Sequence, residues 1–156
     1  MVRVRSHVGG DSRHPCDDLG RLGSNSPELE KLVVEWFDAA TRGDPSLIDR
    51  HVSRQEGTRL VGTDPDEWFE GAAAVEFLKK GLPGAGGGVR TLSDLQAFSE
   101  GTVGWAVTRF TLTLPDGSSL SPRWSAVFRR EDGDWKFVQL HASIDVTNEE
   151  SGWVQA

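Results

Sequence analysis

The spacing of apolar residues changes at one point of the chain, the stretch LPGAGGG at residues 82–88. Before this stretch, apolar residues recur every three or four positions, which is typical of helices. After it, they alternate with polar residues, which is typical of strands with one buried face. A run of helices followed by a run of strands predicts an α+β domain, with the helices packed on one face of an antiparallel sheet.

Three helices are predicted before the change. The first begins near Pro27 and ends at Gly43, and the second begins at Asp44. The apolar stripe of the first helix consists of Leu29, Leu32, Val33, Trp36, Phe37 and Ala40. The third helix covers residues 70–81, after a short strand at residues 59–62 and a turn.

Four successive strands are predicted after the change. They cover residues 89–100, 102–114, 119–131 and 134–146, and the turns PDGS and EDGD separate the last three. Strands joined by such short turns pair with their neighbours in sequence. We therefore expect an antiparallel meander.

The last of these strands has an unusual pattern. Strict alternation places Trp135, Phe137, Gln139, His141 and Ser143 on one face. The opposite face carries a strip of Val138, Leu140, Ala142 and Ile144. The polar run on the first face is either wet surface or the lining of a cavity that holds a ligand.

Composition limits the classes of function. The chain has 156 residues, enough for one domain, and a formal charge of −7, which argues against a nucleic-acid partner. It has no long apolar run for a membrane span, and its start lacks the apolar stretch of a signal peptide, so a cytoplasmic location is expected. The single cysteine, Cys16, excludes an internal disulfide. No metal-ligand spacing or cofactor motif is recognised, so neither a metal nor a cofactor is predicted.

Three segments are predicted from the distribution of apolar residues. Residues 1–25 are glycine-rich, with little apolar periodicity, and are interpreted as a flexible tail. Residues 26–150 form the domain. Residues 151–156 lack a clear pattern and are interpreted as a C-terminal tail.

Three stretches resemble the nuclear transport factor 2-like superfamily, which includes the SnoaL-like and ketosteroid-isomerase-like domains. FDAATRGDPSLIDRHVS resembles the family's junction between the first two helices, and GTDPDEWFEGAAAVEFL its acidic loop and third helix. VFRREDGDWKFVQLHASIDVTNEE resembles its closing hairpin, in the bacterial branch of unassigned activity. The resemblance covers about residues 26–150.

The resemblance implies a cone-shaped curved sheet with the N-terminal helices on its concave face. In this superfamily the cone encloses a pocket, and the convex face often packs against a second subunit. Gln139, His141 and Ser143 would then face the pocket. The apolar strip that begins at Val138 would face a partner, which leads us to expect a homodimer.

Two residues are the main candidates for ligand contact. His141 can bind an anion or transfer a proton. Alternation groups Arg109 on one face with Trp105, Val107 and Thr111. The similar association domains of calcium/calmodulin-dependent kinases project an arginine into the pocket. Alternatively, His141 is a core histidine and Arg109 reaches the rim.

Asp64 is a weaker candidate, as a general base. Ketosteroid isomerases carry an Asp-Pro pair at the end of the first strand, and Asp64-Pro65 resembles it. An ordinary helix cap is the alternative. The resemblance also places Trp36 where that family has a tyrosine and Ala126 where it has an acid. Steroid isomerisation by that mechanism is therefore not expected.

Trp36, Trp68, Trp105 and Trp124 are expected around one cavity or in the helix–sheet interface, and weakly indicate a flat apolar ligand. Three functions stay open. The first is a binding domain for a small organic molecule with an acidic or carbonyl group, held in the cone by Arg109, Gln139, Ser143 and tryptophans. The second is an isomerase, cyclase or hydratase using His141 and Asp64 as acid and base. The third is a dimerisation or interaction module, whose pocket would be filled by its own tryptophans.

Overall fold

The computed structural model describes residues 23–84 and 88–145. The helices are α1 (Pro27–Arg42), α2 (Ser46–His51) and α3 (Gly71–Gly84). The strands are β1 (Ser24–Asn25), β2 (Arg59–Val61), β3 (Trp68–Glu70), β4 (Val89–Glu100), β5 (Val103–Thr113), β6 (Ser119–Leu120), β7 (Arg123–Glu131) and β8 (Asp134–Ser143). In the described ranges, no helix is long and apolar enough to cross a membrane.

Local signals fix both ends of α1. The Ser26 hydroxyl accepts a hydrogen bond from the Leu29 backbone N–H at 3.4 Å. Gly43 ends the helix in the left-handed conformation (φ 66°), and its N–H donates to the carbonyl oxygens of Ala39 and Ala40. The predicted bounds of this helix are confirmed.

All eight strands form one curved, unclosed sheet in the order β1-β4-β5-β7-β8-β2-β3, with β6 paired to β5. The pairs are antiparallel except for β2 and β8, which run parallel. The predicted meander is confirmed as β4, β5, β7 and β8, and so is the α+β class with helices on the concave face. The predicted third strand is divided into β6 and β7, and β1 and β3 were not predicted.

Aromatic side chains fill the space between the helices and the sheet. Trp36 packs on Phe137 with ring centroids 4.9 Å apart, and Phe37 contacts Phe110 at 4.8 Å and Trp124 at 5.4 Å. Each of these side chains is buried. The residues that alternate with them along the strands point to the opposite side, which we call the outer face; Val107, Arg109, Ser125 and His141 lie on it.

A β-bulge interrupts the alternation of β8. Val127 pairs with Gln139 and Phe128 pairs with Phe137, so Val138 is an extra residue without a partner in the register. A bulge moves every later side chain to the other face.

This bulge overturns the predicted faces of the last strand. Phe137 is fully buried against the helices, whereas Gln139 is exposed, and His141 and Ser143 lie on the outer face. The predicted apolar strip is wrong for the same reason, since Leu140 is buried in the core and Ala142 packs against it.

A second bulge lies in β4. Ser93 pairs with Arg109 and Gln96 pairs with Val107, which leaves one extra residue on β4. Asp94 has a φ of 53° there, a conformation that residues other than glycine seldom adopt.

The first strand lies inside the segment that the sequence indicates as a tail. Ser24 pairs with Ser99 and Asn25 with Phe98, at the edge of the sheet. Residues 1–22, which include Cys16, and residues 146–156, which include the predicted C-terminal tail, lie outside the described part of the chain.

Candidate functional site

The outer face contains a groove of about 830 Å³. It crosses β4, β5, β7 and β8. The residues that line it are Asp94, Gln96, Val107, Thr108, Arg109, Arg123, Trp124, Ser125, His141 and Ser143. The groove thus combines charged, hydroxyl and apolar side chains from four strands of a rigid sheet.

The pairing register sets the order of the side chains across the groove. Arg109 on β5 lies opposite Arg123 on β7, and Arg123 lies opposite Ser143 on β8. The next row toward the bulges consists of Val107, Ser125 and His141. Since opposite residues on one face have Cβ atoms roughly 4.5–5.5 Å apart, these rows converge on one patch.

The charges of this patch are only partly balanced. Arg123 forms an ion pair with Asp145 at 3.2 Å and donates to the Ile144 carbonyl oxygen at 3.3 Å. For the side chains of Arg109 and His141, residues 23–84 and 88–145 supply no hydrogen-bond or ion-pair partner. Two guanidinium groups on directly opposite positions repel each other, so an anion beside Arg109 would lower the energy of the patch.

Apolar contacts are available beside the charges. Val107 has 45% of its surface exposed in the groove, whereas Trp124 is buried and borders the groove from below. A ligand with an apolar body could lie along Val107 and place an acid near Arg109. Sites of this kind, with apolar walls and a few convergent polar groups, are typical of small-molecule binding.

Four of the predicted ligand-contact residues meet in this groove: Arg109, His141, Ser143 and Trp124. Gln139 is exposed on the same face but does not line the groove.

The other tryptophans do not surround one cavity. Trp36 is part of the core, Trp105 stacks on Phe98, and Trp68 is 69% exposed on β3 at the edge of the sheet. The expected shared cavity is therefore not formed by these four residues, whereas the alternative, the helix–sheet interface, holds for Trp36 and Trp124.

Asp64 lies in an exposed turn between β2 and β3. Its Oδ1 accepts a hydrogen bond from the Asp66 backbone N–H at 3.1 Å, as a capping residue would. Glu67 folds the same turn, since its Oε2 accepts from the N–H groups of Thr63 and Asp64. Asp64 does not line the groove with His141, so the predicted acid–base pair does not share this site.

Sequence reasoning missed five polar residues of the groove: Asp94, Gln96, Thr108, Arg123 and Ser125. The sequence does contain a sign of the bulge at Asp94. The core-facing residues Leu92 and Leu95 of β4 are three positions apart, whereas Leu95 and Ala97 are two apart, as in a regular strand. Such a change of step indicates a bulge. In the described ranges, no group of three or more His, Cys, Asp or Glu side chains could hold a metal ion.

Structures of known proteins share the fold. An NTF2-like protein of unknown function from Pseudomonas putida is 19% identical with a TM-score of 0.70, covering 81% of this chain and 93% of that one. A Xanthomonas campestris protein, described provisionally as a calcium/calmodulin dependent protein kinase II association domain, is 18% identical with a TM-score of 0.61. The alignment covers 90% of this chain and 97% of that protein. At these identities the likeness shows the fold alone.

Sequence comparison identifies the family. A search among curated proteins finds no match. The profile of the family described as SnoaL-like domain matches residues 29–147, which contain every residue that lines the groove. The chain therefore belongs to the SnoaL-like domain family.

Proposed function

We propose that this protein is a binding domain for a small organic molecule with an acidic group, and that the groove on the outer face holds this molecule. The observation that carries the proposal is the convergence of Arg109 and His141 on one groove, both without a partner among the described residues. The sequence predicted these two residues as neighbours in a ligand site, though on the other side of the sheet.

The chemistry of the groove supports binding rather than catalysis. Arg109 supplies a fixed positive charge, and Ser125 and Ser143 supply hydroxyl groups that can donate to a carboxylate oxygen. Asp64, the predicted partner of His141 in acid–base catalysis, lies elsewhere. Because Arg109 is exposed to solvent, we expect each charged contact to contribute about 1 kcal/mol or less.

Octanoate is a suitable probe, since it combines an acid with an apolar chain. Isothermal titration calorimetry should show that octanoate binds and that Arg109→Gln weakens its binding about fivefold. Octanamide, which lacks the charge, should bind the wild-type protein more weakly than octanoate. Arg42→Gln, on the last turn of α1, is the matched control and should leave the affinity unchanged.

Two results would refute this function. One is the absence of octanoate binding at millimolar concentration, and the other is equal binding by the wild-type and Arg109→Gln proteins. We also propose that the protein is cytoplasmic and has no nucleic-acid or membrane partner. Cell fractionation would test the location.

A second candidate function is self-association through the outer face as a homodimer. Apolar side chains are exposed there, with Trp68 at 69%, Val107 at 45% and Val103 at 43%. Exposed apolar groups on one face favour a protein–protein contact. An interaction module was expected to have its interior filled by its own tryptophans, and Trp36 packs on Phe137 there. The Xanthomonas campestris protein, described provisionally as a kinase association domain, also supports this candidate.

Sedimentation equilibrium at tens of micromolar tests the homodimer. Val107→Lys should shift the dimer toward monomer because it buries a charge in the contact. Val34→Lys is the matched control, since Val34 is 42% exposed on α1, away from this face, and should leave the dimer intact. A monomeric wild-type protein, or equal dimerisation by both variants, would exclude this candidate.

A further inference from the structure

The bulge in β4 is held in place from inside the sheet. The buried Thr108 hydroxyl lies 2.8 Å from the carbonyl oxygen of Ser93 and 2.9 Å from that of Arg109. The bulged residue Asp94 is therefore fixed at its φ of 53° by the neighbouring strand. Strained residues at bulges are frequent beside binding sites, where the bulge re-aims a side chain.

Asp94 gives the groove a negative end. Its carboxylate lines the groove, and the described residues provide it with no ion pair or hydrogen bond. His141 lies three strands away on β8, so the acidic and basic ends of the groove are about 14 Å apart at the usual strand spacing. Arg109 lies between them, on β5.

We propose that the ligand of this groove is amphoteric: its acid binds Arg109 and His141, and a cationic nitrogen at its other end binds Asp94. This inference rests on the proposed acid-binding function and adds the second charged group. A ligand with an acid alone would leave Asp94 unpaired and repelled by its carboxylate. A cationic nitrogen replaces that repulsion with an attraction.

The test compares octanoate with 8-aminooctanoate, which carries an amine at the other end of the same chain. The wild-type protein should bind 8-aminooctanoate about two- to fivefold more tightly than octanoate, the range expected for an exposed ion pair. Asp94→Asn should weaken 8-aminooctanoate binding and strengthen octanoate binding. A purely structural effect would change both affinities in the same direction.

Asp132→Asn is the matched control. Asp132 has nearly the same left-handed conformation, with a φ of 52°, but lies in the turn between β7 and β8, outside the groove. Asparagine tolerates this conformation well, so both variants should keep their backbone. Asp132→Asn should bind both probes as the wild-type protein does.

The outcomes separate this inference from the function on which it rests. If octanoate binding depends on Arg109 but 8-aminooctanoate binds no more tightly, or Asp94→Asn shifts both affinities alike, the amphoteric ligand is refuted and the acid site stands. If neither probe binds, or Arg109→Gln has no effect, the acid site fails and the inference fails with it.

Discussion

His141 lines the groove on β8, and its imidazole can donate a hydrogen bond to a carboxylate oxygen. Arg109 adds a fixed positive charge to the same groove. His141→Ala should therefore weaken octanoate binding about two- to fivefold, because one hydrogen bond to the acid is lost. Calorimetry measures this difference.

The matched variant for this prediction is His141→Gln, which keeps a hydrogen-bonding group of similar length. It should bind octanoate more tightly than His141→Ala does, and both variants should lose little stability, since His141 is only half-buried. If His141→Ala binds octanoate as tightly as the wild-type protein, His141 does not contact the acid.

Glu131 belongs to a polar cluster that stabilises the fold rather than the groove. Burial raises the pKa of its carboxyl, but hydrogen bonds from Arg129 and Ser53 and the positive charges of Arg129 and Lys136 together outweigh burial, so the pKa lies below its ordinary value of 4.5. The Oε1 atom accepts from Arg129 Nη2 at 2.7 Å and from Ser53 Oγ at 2.8 Å. The ionised form is thus favoured in the folded state.

Glu131→Gln should therefore lower the free energy of unfolding by about 1 kcal/mol at neutral pH. Because the pKa is depressed on folding, the stabilisation is complete above about pH 4.5 and is lost as the pH falls through the lower folded-state value. Urea unfolding at several pH values measures this loss. Exposed Glu56→Gln is the control, and a difference that stays constant with pH would contradict the assignment.

At the scale of elements, the bulge at Val138 decides which face of β8 carries His141. Deleting Val138 would make Gln139 the direct neighbour of Phe137, so the strand would alternate strictly while Leu140 stays in the core and His141 stays on the outer face. We expect the deletion to cost no more than about 3 kcal/mol in unfolding free energy, because the buried side chains of β8 keep their faces.

Urea unfolding of the deletion variant beside Val138→Ala tests this role of the bulge. Val138 is only half-buried, so the substitution should also cost little. A deletion variant that fails to fold, while Val138→Ala folds normally, would show that Val138 is not the extra residue of β8.

The elements differ in how well the sequence predicts them. The bounds of α1 follow from signals within a few residues, Ser26 at its start and Gly43 at its end. The strands β1 and β3 have two and three residues, too few to show a period. The bulge at Val138 depends on how β7 pairs with β8, which alternation along β8 cannot reveal.

The same limit applies to the candidate site. Alternation grouped Arg109 with Val107 correctly, because the alternation of β5 is unbroken. The resemblance placed Arg109 in the cone pocket, however, and the structure places it on the outer face. His141 was placed on the wrong face, because it follows a bulge. The groove residues on β4 and β7 were missed, because they come beside Arg109 only through the pairing of β5 with these two strands.

At the scale of the whole molecule, the core of the described residues extends from Leu29 to Leu140. Helix α1 packs on β4 and β5, and β1 pairs with the edge of β4. A chain that begins at Gly23 should therefore melt within about 5 °C of the full-length protein, a shift of roughly 1 kcal/mol at this size. Differential scanning calorimetry measures it, and a larger decrease would show that the N-terminal segment stabilises the fold.

The central claim is that an acid binds on the outer face of the sheet and not between the sheet and the helices. Nuclear Overhauser effects from bound octanoate to the protein test it most directly. We expect effects between the octanoate chain and the methyl groups of Val107, in the groove. Effects to the rings of Trp36 and Phe137, which pack together in the interior, would contradict it.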